Sequence, residues 1–201
     1  NQPIGSWDVS NVQDMNTTFS TADAFDQDLS GWVTSAVTDM SWMFYNTNSF
    51  NQNIDSWDVS SVQNMSLMFR STTLFNQPLG SWITSAVTNM STMFMNADAF
   101  DQDIGAWDVS SVINMSSMFR DTEGTGFNNG GSPSISGWTT SAVTDMNNMF
   151  EDNKTFNQPI GSWDVSNVLD MEGMFYDNNV FDQPLSGWNV SNVDTMKNML
   201  R

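Results

Sequence analysis

The sequence contains neither cysteine nor histidine and has only five basic residues. The absence of cysteine excludes disulfides and thiol chemistry, and the absence of both residues excludes the usual zinc ligands and a histidine general base. Five Lys+Arg against 23 Asp+Glu give a net charge of −18, which disfavours nucleic acid and anionic membranes as partners. No apolar run is long enough to predict a membrane span. The acidic composition favours an extracellular or cell-surface setting.

What the sequence does have is a 25-residue repeat, marked by tryptophan. Valine follows each of these tryptophans by five residues and methionine by eight; phenylalanine follows by twelve in seven of the eight copies. One step is 31 residues, because six extra residues fall within 120–133. This agreement predicts one repeat unit over residues 1–201, with the extra residues in a loop. The eight tryptophans are Trp7, Trp32, Trp57, Trp82, Trp107, Trp138, Trp163 and Trp188.

The spacing within each copy predicts a fold class. Ile4, Trp7 and Val9 have the spacing of a leucine-rich-repeat strand. The apolar residues that follow, such as Met40 and Phe44, recur at steps typical of one helical face. We therefore predict an α/β solenoid: a leucine-rich-repeat-like, right-handed stack of eight coils, each with one short parallel strand and one short helix.

The segment FNQNIDSWDVSSVQNMSLMF, at residues 50–69, resembles the BspA-like leucine-rich-repeat surface proteins, whose repeat is a domain of unknown function in mycoplasma lipoproteins and marine microbes. The resemblance covers the whole chain. It implies a leucine-rich-repeat-like fold and a surface or secreted setting, and it brings no catalytic residues with it.

One outward position alternates between acidic and uncharged residues. Carboxylates in every coil would lie ~4.8 Å apart and repel, and alternation doubles that spacing. The alternation therefore has two interpretations: avoidance of repulsion, or a striped face that docks a partner. The candidate binding residues are Asp8, Val33, Asp58, Ile83, Asp108, Thr139 and Asp164.

A polar turn with a recurrent glutamine follows the predicted helix. Stacked amides favour a hydrogen-bonded ladder along the array. The alternative is calcium, because several of these turns cluster carboxylates, the hard oxygen ligands that this ion prefers. The calcium candidates are Asp23, Asp26 and Asp28, then Asp98, Asp101 and Asp103, with Asp121 and Glu123 as a weaker pair.

The regular tryptophan and methionine positions predict core, in preference to sugar stacking or soft-metal binding. Trp42, Tyr45 and Tyr176 lie off the repeat pattern and are candidates for exposed aromatic residues. Carboxylates repeat along the array instead of converging once, and no nucleophile or phosphate-binding motif is present. We therefore do not expect an enzyme.

The sequence favours a structural or adhesive surface module that binds proteins or copies of itself. The alternative is a module that binds a glycan, a peptide or a calcium-dependent surface through the striped face or the loop at 120–133. Both ends of the chain fall within or beside a repeat without a polar cap. We therefore expect a piece of a longer array or end-to-end stacking.

Overall fold

The computed structural model describes residues 2–122 and 126–201. Within these ranges there is no α-helix and no β-strand, and regular structure is limited to two 3₁₀-helices, η1 (Asn129–Gly131) and η2 (Pro133–Gly137). The prediction of a leucine-rich-repeat-like α/β solenoid is therefore wrong. The repeats are turns and extended segments that stack on one another, and we number the coils 1 to 8 by their tryptophans, from Trp7 to Trp188.

Backbone hydrogen bonding explains why the predicted helix does not form. The N–H groups of Met15 and Phe19 donate to Asp39 O and Met43 O of the next coil, each at 2.9 Å, while Thr18 N–H donates back to Met15 O at 3.2 Å. An α-helix needs each N–H for its own turns, whereas here alternate N–H groups join successive coils. In coils 1 to 7, two residues of this stretch also have φ between 52° and 61°, which interrupts a right-handed helix.

The predicted strand fails for a different reason. Trp32 points inward and Val33 outward, as the pattern predicts, but this part of the coil is joined to its neighbour by a side chain. The Nε1 of Trp32 donates to Ile4 O of the previous coil at 3.1 Å. Tryptophan thus takes over the linking role of a strand ladder. The same bond, at 2.9–3.1 Å, is made by Trp57, Trp82, Trp107, Trp163 and Trp188.

Aromatic rings fill the interior of the stack. We use the word column for residues at one position of successive coils, and all 14 phenylalanines belong to two columns. Within each of coils 1 to 7 the two rings stack at 3.7–4.3 Å between centroids. The first Phe column is Phe19, Phe44, Phe69, Phe94, Phe119, Phe150 and Phe175; the second is Phe25, Phe50, Phe75, Phe100, Phe127, Phe156 and Phe181. One cluster of buried hydrophobic residues runs from Ile4 to Met199 and confirms the core prediction for six of the eight regular tryptophans. The end coils differ, because Trp7 is 61% exposed, Met196 is 43% exposed and Trp188 is only partly buried.

A buried threonine accounts for the 50-residue alternation seen in the sequence. Thr34 and Thr84 lie two residues after a tryptophan and are 1% and 0% exposed. Their Oγ1 atoms donate to the backbone carbonyls of Asp58 and Asp108 in the next coil, each at 2.9 Å. Valine occupies the equivalent position in alternate coils. Coils 2, 4 and 6 are therefore joined to the next coil by a threonine hydroxyl, whereas the odd coils and coil 8 have valine at this position.

The six extra residues lie in coil 5, and the described residues on either side of 123–125 keep the inner columns continuous. Phe127 is fully buried and stacks on Phe119 at 3.7 Å, so the second Phe column continues through the insertion. Ile135, in η2, fills the buried position three residues before Trp138. Residues 123–125, including Glu123 of the weaker calcium pair, lie outside the described residues.

Candidate functional site

The predicted striped face exists as an exposed column, which we call the Asp–Val column (Asp8, Val33, Asp58, Ile83, Asp108, Thr139 and Asp164). All seven side chains are exposed, and Val33 and Ile83 are 56% and 61% accessible. The Oγ and backbone N–H of Ser60 hold the pKa of Asp58 below its usual value. A serine two residues on does the same for the other three aspartates. These carboxylates therefore remain charged on the surface.

The calcium candidates are not brought together. Asp26 accepts from Asn51 N–H and Gln52 Nε2, at 3.0 and 2.9 Å, and Asp28 accepts from Ser30 N–H at 2.9 Å. Similar local or cross-coil bonds occupy Asp23, Asp101 and Asp103. Among residues 2–122 and 126–201, no group of three or more acidic side chains could hold a metal ion.

The glutamines instead take part in a ladder that differs from a stack of identical amides. The Oδ1 of Asn51 accepts from Asn76 N–H and from Gln77 Nε2 in the next coil, both at 3.0 Å. Asn128, within the insertion, does the same for Asn157 and Gln158, so the ladder crosses coil 5. The acceptor is the Asn or Asp that directly follows each phenylalanine of the second Phe column, and this position has a structural role.

Another surface column was missed by the sequence analysis. We call it the Tyr–Arg column: Tyr45, Arg70, Met95, Arg120, Glu151, Tyr176 and Arg201. It contains every arginine and every tyrosine of the chain, together with the methionine that lies outside the core pattern. Arg70 lies over the Tyr45 ring at 5.6 Å, and Arg201 lies 6.0 Å from the Tyr176 ring. The signal was available in the sequence, because each residue directly follows a phenylalanine or, in the last coil, Leu200.

Trp42 and Tyr45, predicted to be an exposed pair, are in contact but only partly exposed. Their rings meet edge to face at 4.9 Å between centroids. Trp42 has φ of 61°, and Leu67 at the same position of the next coil has φ of 57°. Left-handed backbone costs an L-residue about 1–2 kcal/mol, and the other coils place smaller residues there, namely threonine, serine, asparagine or glycine. Two large side chains are therefore held beside Arg70 at an energetic cost.

The two columns lie on opposite walls of the stack. Side chains of the tryptophan column and of the first Phe column meet inside, for example Phe44 and Trp57 at 6.2 Å and Phe69 and Trp82 at 6.4 Å. Each Asp–Val residue directly follows a tryptophan of this column, and each Tyr–Arg residue except Arg201 directly follows a phenylalanine of the first Phe column. A partner can therefore approach either column without covering the other.

A row of Asp and Asn residues joins neighbouring coils through parallel bridges, and most of its side chains are half-buried. Each of these side chains accepts from the backbone two residues on. The position is Asp in coils 1 and 2, Asn in coils 3 to 5, and Asp145 and Asp170 in coils 6 and 7. Burial, together with the nearby charge of Asp170, raises the pKa of Asp145. The Asp145 and Asp170 carboxylates repel each other and destabilise the stack locally, in the two coils that follow the insertion.

One groove on the described surface is mainly polar. It is lined by Asp28, Gln52 and Asp55 among others, with Trp57 in its wall. Trp57 is only 3% exposed, so it offers no flat ring for a sugar to stack on. The groove therefore lacks the aromatic platform that the glycan interpretation needs.

A family model described as Mycoplasma protein of unknown function, DUF285, matches residues 1–60, 29–132 and 125–201. The chain belongs to this family. The overlapping DUF285 matches together span the chain, and they include the insertion. Comparison with curated proteins and with solved structures found no significant match in either case.

The DUF285 match agrees with part of the resemblance noted in the sequence, namely a repeat family of unknown function in Mycoplasma. It does not confirm the identity with BspA-like leucine-rich repeats, and the absence of strands and α-helices in the described ranges argues against that type of coil. The helices that the structure does contain are one or two turns long, far below the length that a membrane span requires.

Proposed function

We propose that the chain is a non-enzymatic surface module that makes adhesive contacts with proteins along the sides of its stack. The observation that carries the proposal is the composition of the Tyr–Arg column. Tyrosine, tryptophan and arginine dominate the binding energy of protein interfaces. In this chain all the tyrosines and arginines, and the one tryptophan outside the regular row, fall on adjoining positions of one wall.

The interior supports a structural role for the remaining positions. Phenylalanine, tryptophan and methionine columns continue from coil to coil, and backbone bonds join each coil to the next. Side chains on such a stack keep a fixed spacing, so a partner meets a preorganised row at little entropic cost. The acidic composition supports an extracellular setting.

Display on the surface of a non-adhesive laboratory bacterium tests the adhesive function. Cells that display the chain should adhere to intact cells that naturally produce it, as counted by microscopy. The matched control displays a variant with Trp42→Ser, Tyr45→Ser and Arg70→Ser, which leaves the inner columns unchanged. Equal adherence by the control would contradict the proposed face, and no adherence by either would contradict the function.

Location is tested separately. An antibody against the chain should label intact producer cells, and brief trypsin treatment of those cells should remove the label. Labelling that appears only after the cells are permeabilised would contradict a surface setting.

A further inference from the structure

We infer that the Tyr–Arg column of one chain docks on the Asp–Val column of a second copy, with Arg70 facing Asp58. The inference rests on the proposed function and names the partner. It begins from the order of residues along the two columns. In coils 2 to 4 the Tyr–Arg column presents Tyr45, Arg70 and Met95, which is an arginine between two large apolar side chains.

The Asp–Val column has the complementary order in the same three coils. Asp58 lies between Val33 and Ile83, whose side chains are 56% and 61% exposed. It is the one aspartate of this column with a large apolar residue on both sides, because Asp108 and Asp164 each adjoin Thr139. Both columns advance by one residue per coil, and the inner rings next to them have similar spacings. Centroids from coil to coil lie 5.5–5.7 Å apart in the first Phe column and 5.8–6.2 Å apart in the tryptophan column. An arginine can therefore meet an aspartate while both apolar neighbours also meet.

Arg70 is suited to an external carboxylate. Among the described residues it makes no ion pair within 4.0 Å, whereas Arg120 pairs with Asp121 and Glu151, each at 3.2 Å. Its guanidinium lies over Tyr45, which fixes its direction. On the other side, Ser60 lowers the pKa of Asp58, so this carboxylate is ionised at neutral pH. Paired charges with apolar flanks gain specificity as well as affinity.

A second copy is favoured as the partner because this chain carries both complementary columns. A protein of net charge −18 presents acidic residues on most of its surface, and its arginines are confined to one column. Because the two columns lie on opposite walls, each copy can use one column on each side. Such a head-to-tail contact does not close on itself, so it produces rows of chains side by side.

Charge exchange between two variants tests the inference. Wild type should self-associate in sedimentation velocity runs as its concentration rises toward 1 mM, roughly the weak end of protein contacts. Arg70→Asp alone and Asp58→Arg alone should each weaken association at least about tenfold, because like charges would then face each other. An equal mixture of the two variants should restore association, since each then carries the charge that the other lost.

Asp164→Arg is the matched control, because Asp164 occupies the same column and bonds Ser166 as Asp58 bonds Ser60. It should associate like wild type, and thermal melting should show that all variants fold. A wild type that stays monomeric throughout, or a mixture that does not recover, would overturn the inference. A monomeric chain whose displaying cells still adhere to producer cells would overturn only the self-pairing and leave the adhesive function in place.

Discussion

Coils 4 and 5 build the same cross-section from different lengths of chain. In coil 4 the second Phe column is reached six residues after the first, from Phe94 to Phe100, whereas in coil 5 the step from Phe119 to Phe127 takes eight. Coil 5 keeps the same inner positions: Phe127 continues the buried rings, Asn128 continues the ladder, and Ile135 fills the apolar position before the tryptophan. The comparison shows that the inner columns set the path of the coil, and that extra residues are accommodated between them.

The largest predicted effect comes from the ring inside the insertion. Phe127→Ala should destabilise the chain by about 3–5 kcal/mol, as much as Phe100→Ala in the regular coil, because both rings are fully buried in the same column. Urea denaturation of the two variants measures this. If the insertion were an appended loop, Phe127→Ala would cost less than about 1 kcal/mol and the comparison would fail.

A smaller effect should separate the tryptophans on the two sides of the insertion. Trp107 Nε1 donates to Leu79 O at 2.9 Å, whereas the buried Trp138 Nε1, which follows the insertion, has no partner among the described residues. Trp107→Phe therefore loses a hydrogen bond that Trp138→Phe does not. We expect the first substitution to cost about 1 kcal/mol more, measured by urea denaturation. Equal costs would mean that Trp138 has the same partner as its neighbours.

The smallest predicted effect lies in the row of Asp and Asn residues. At neutral pH, Asp145→Asn should stabilise the chain by roughly 0.5 kcal/mol, because it removes a half-buried charge and keeps the bond to Asn147 N–H. Since the pKa of Asp145 is raised in the folded state, its ionised form destabilises the fold above that pKa. This gain in stability should shrink as the pH falls through the raised pKa towards 3.8, the ordinary pKa of an aspartate, because the folded carboxyl is then protonated.

Asn114→Asp, the reverse change in coil 5, is the matched control. It should lower the melting temperature at neutral pH and lose that effect in acid. Stabilisation by Asn114→Asp, or a pH-independent gain from Asp145→Asn, would contradict the electrostatic cause.

The sequence predicted which side chains lie inside but not how the backbone carries them. Apolar spacing identifies Trp57, Met65 and Phe69 as core whatever the local structure. The same spacing arises from consecutive turns as from a helix, and only the positive φ values and the cross-coil N–H bonds distinguish the two. The second Phe column was not recognised as core, because polar residues follow each of its members, although Phe50 is fully buried.

The candidate site was predicted in part. The exposed position of the Asp–Val column follows from its place next to the tryptophans. The repeat consensus does not mark the Tyr–Arg column, because the residue at this position differs from copy to copy. Tyr45, Arg70 and Met95 are chemically unlike, so no consensus marks them, and their common position becomes visible only when the coils are stacked.

The alternation of threonine and valine, as at Thr34 and Val59, favours the correct pairing of coils during folding. Near-identical repeats invite a coil to settle on the wrong neighbour, one copy out of place. Such an error would bring valine to a carbonyl that expects a hydroxyl and would bury a threonine without an acceptor, each fault costing about 1–3 kcal/mol. A shift by two copies would again place threonine opposite a suitable carbonyl. The greater length of coil 5 would then disfavour the wrong pairing. Small chemical differences between copies thus favour the pairing of each coil with its correct neighbour.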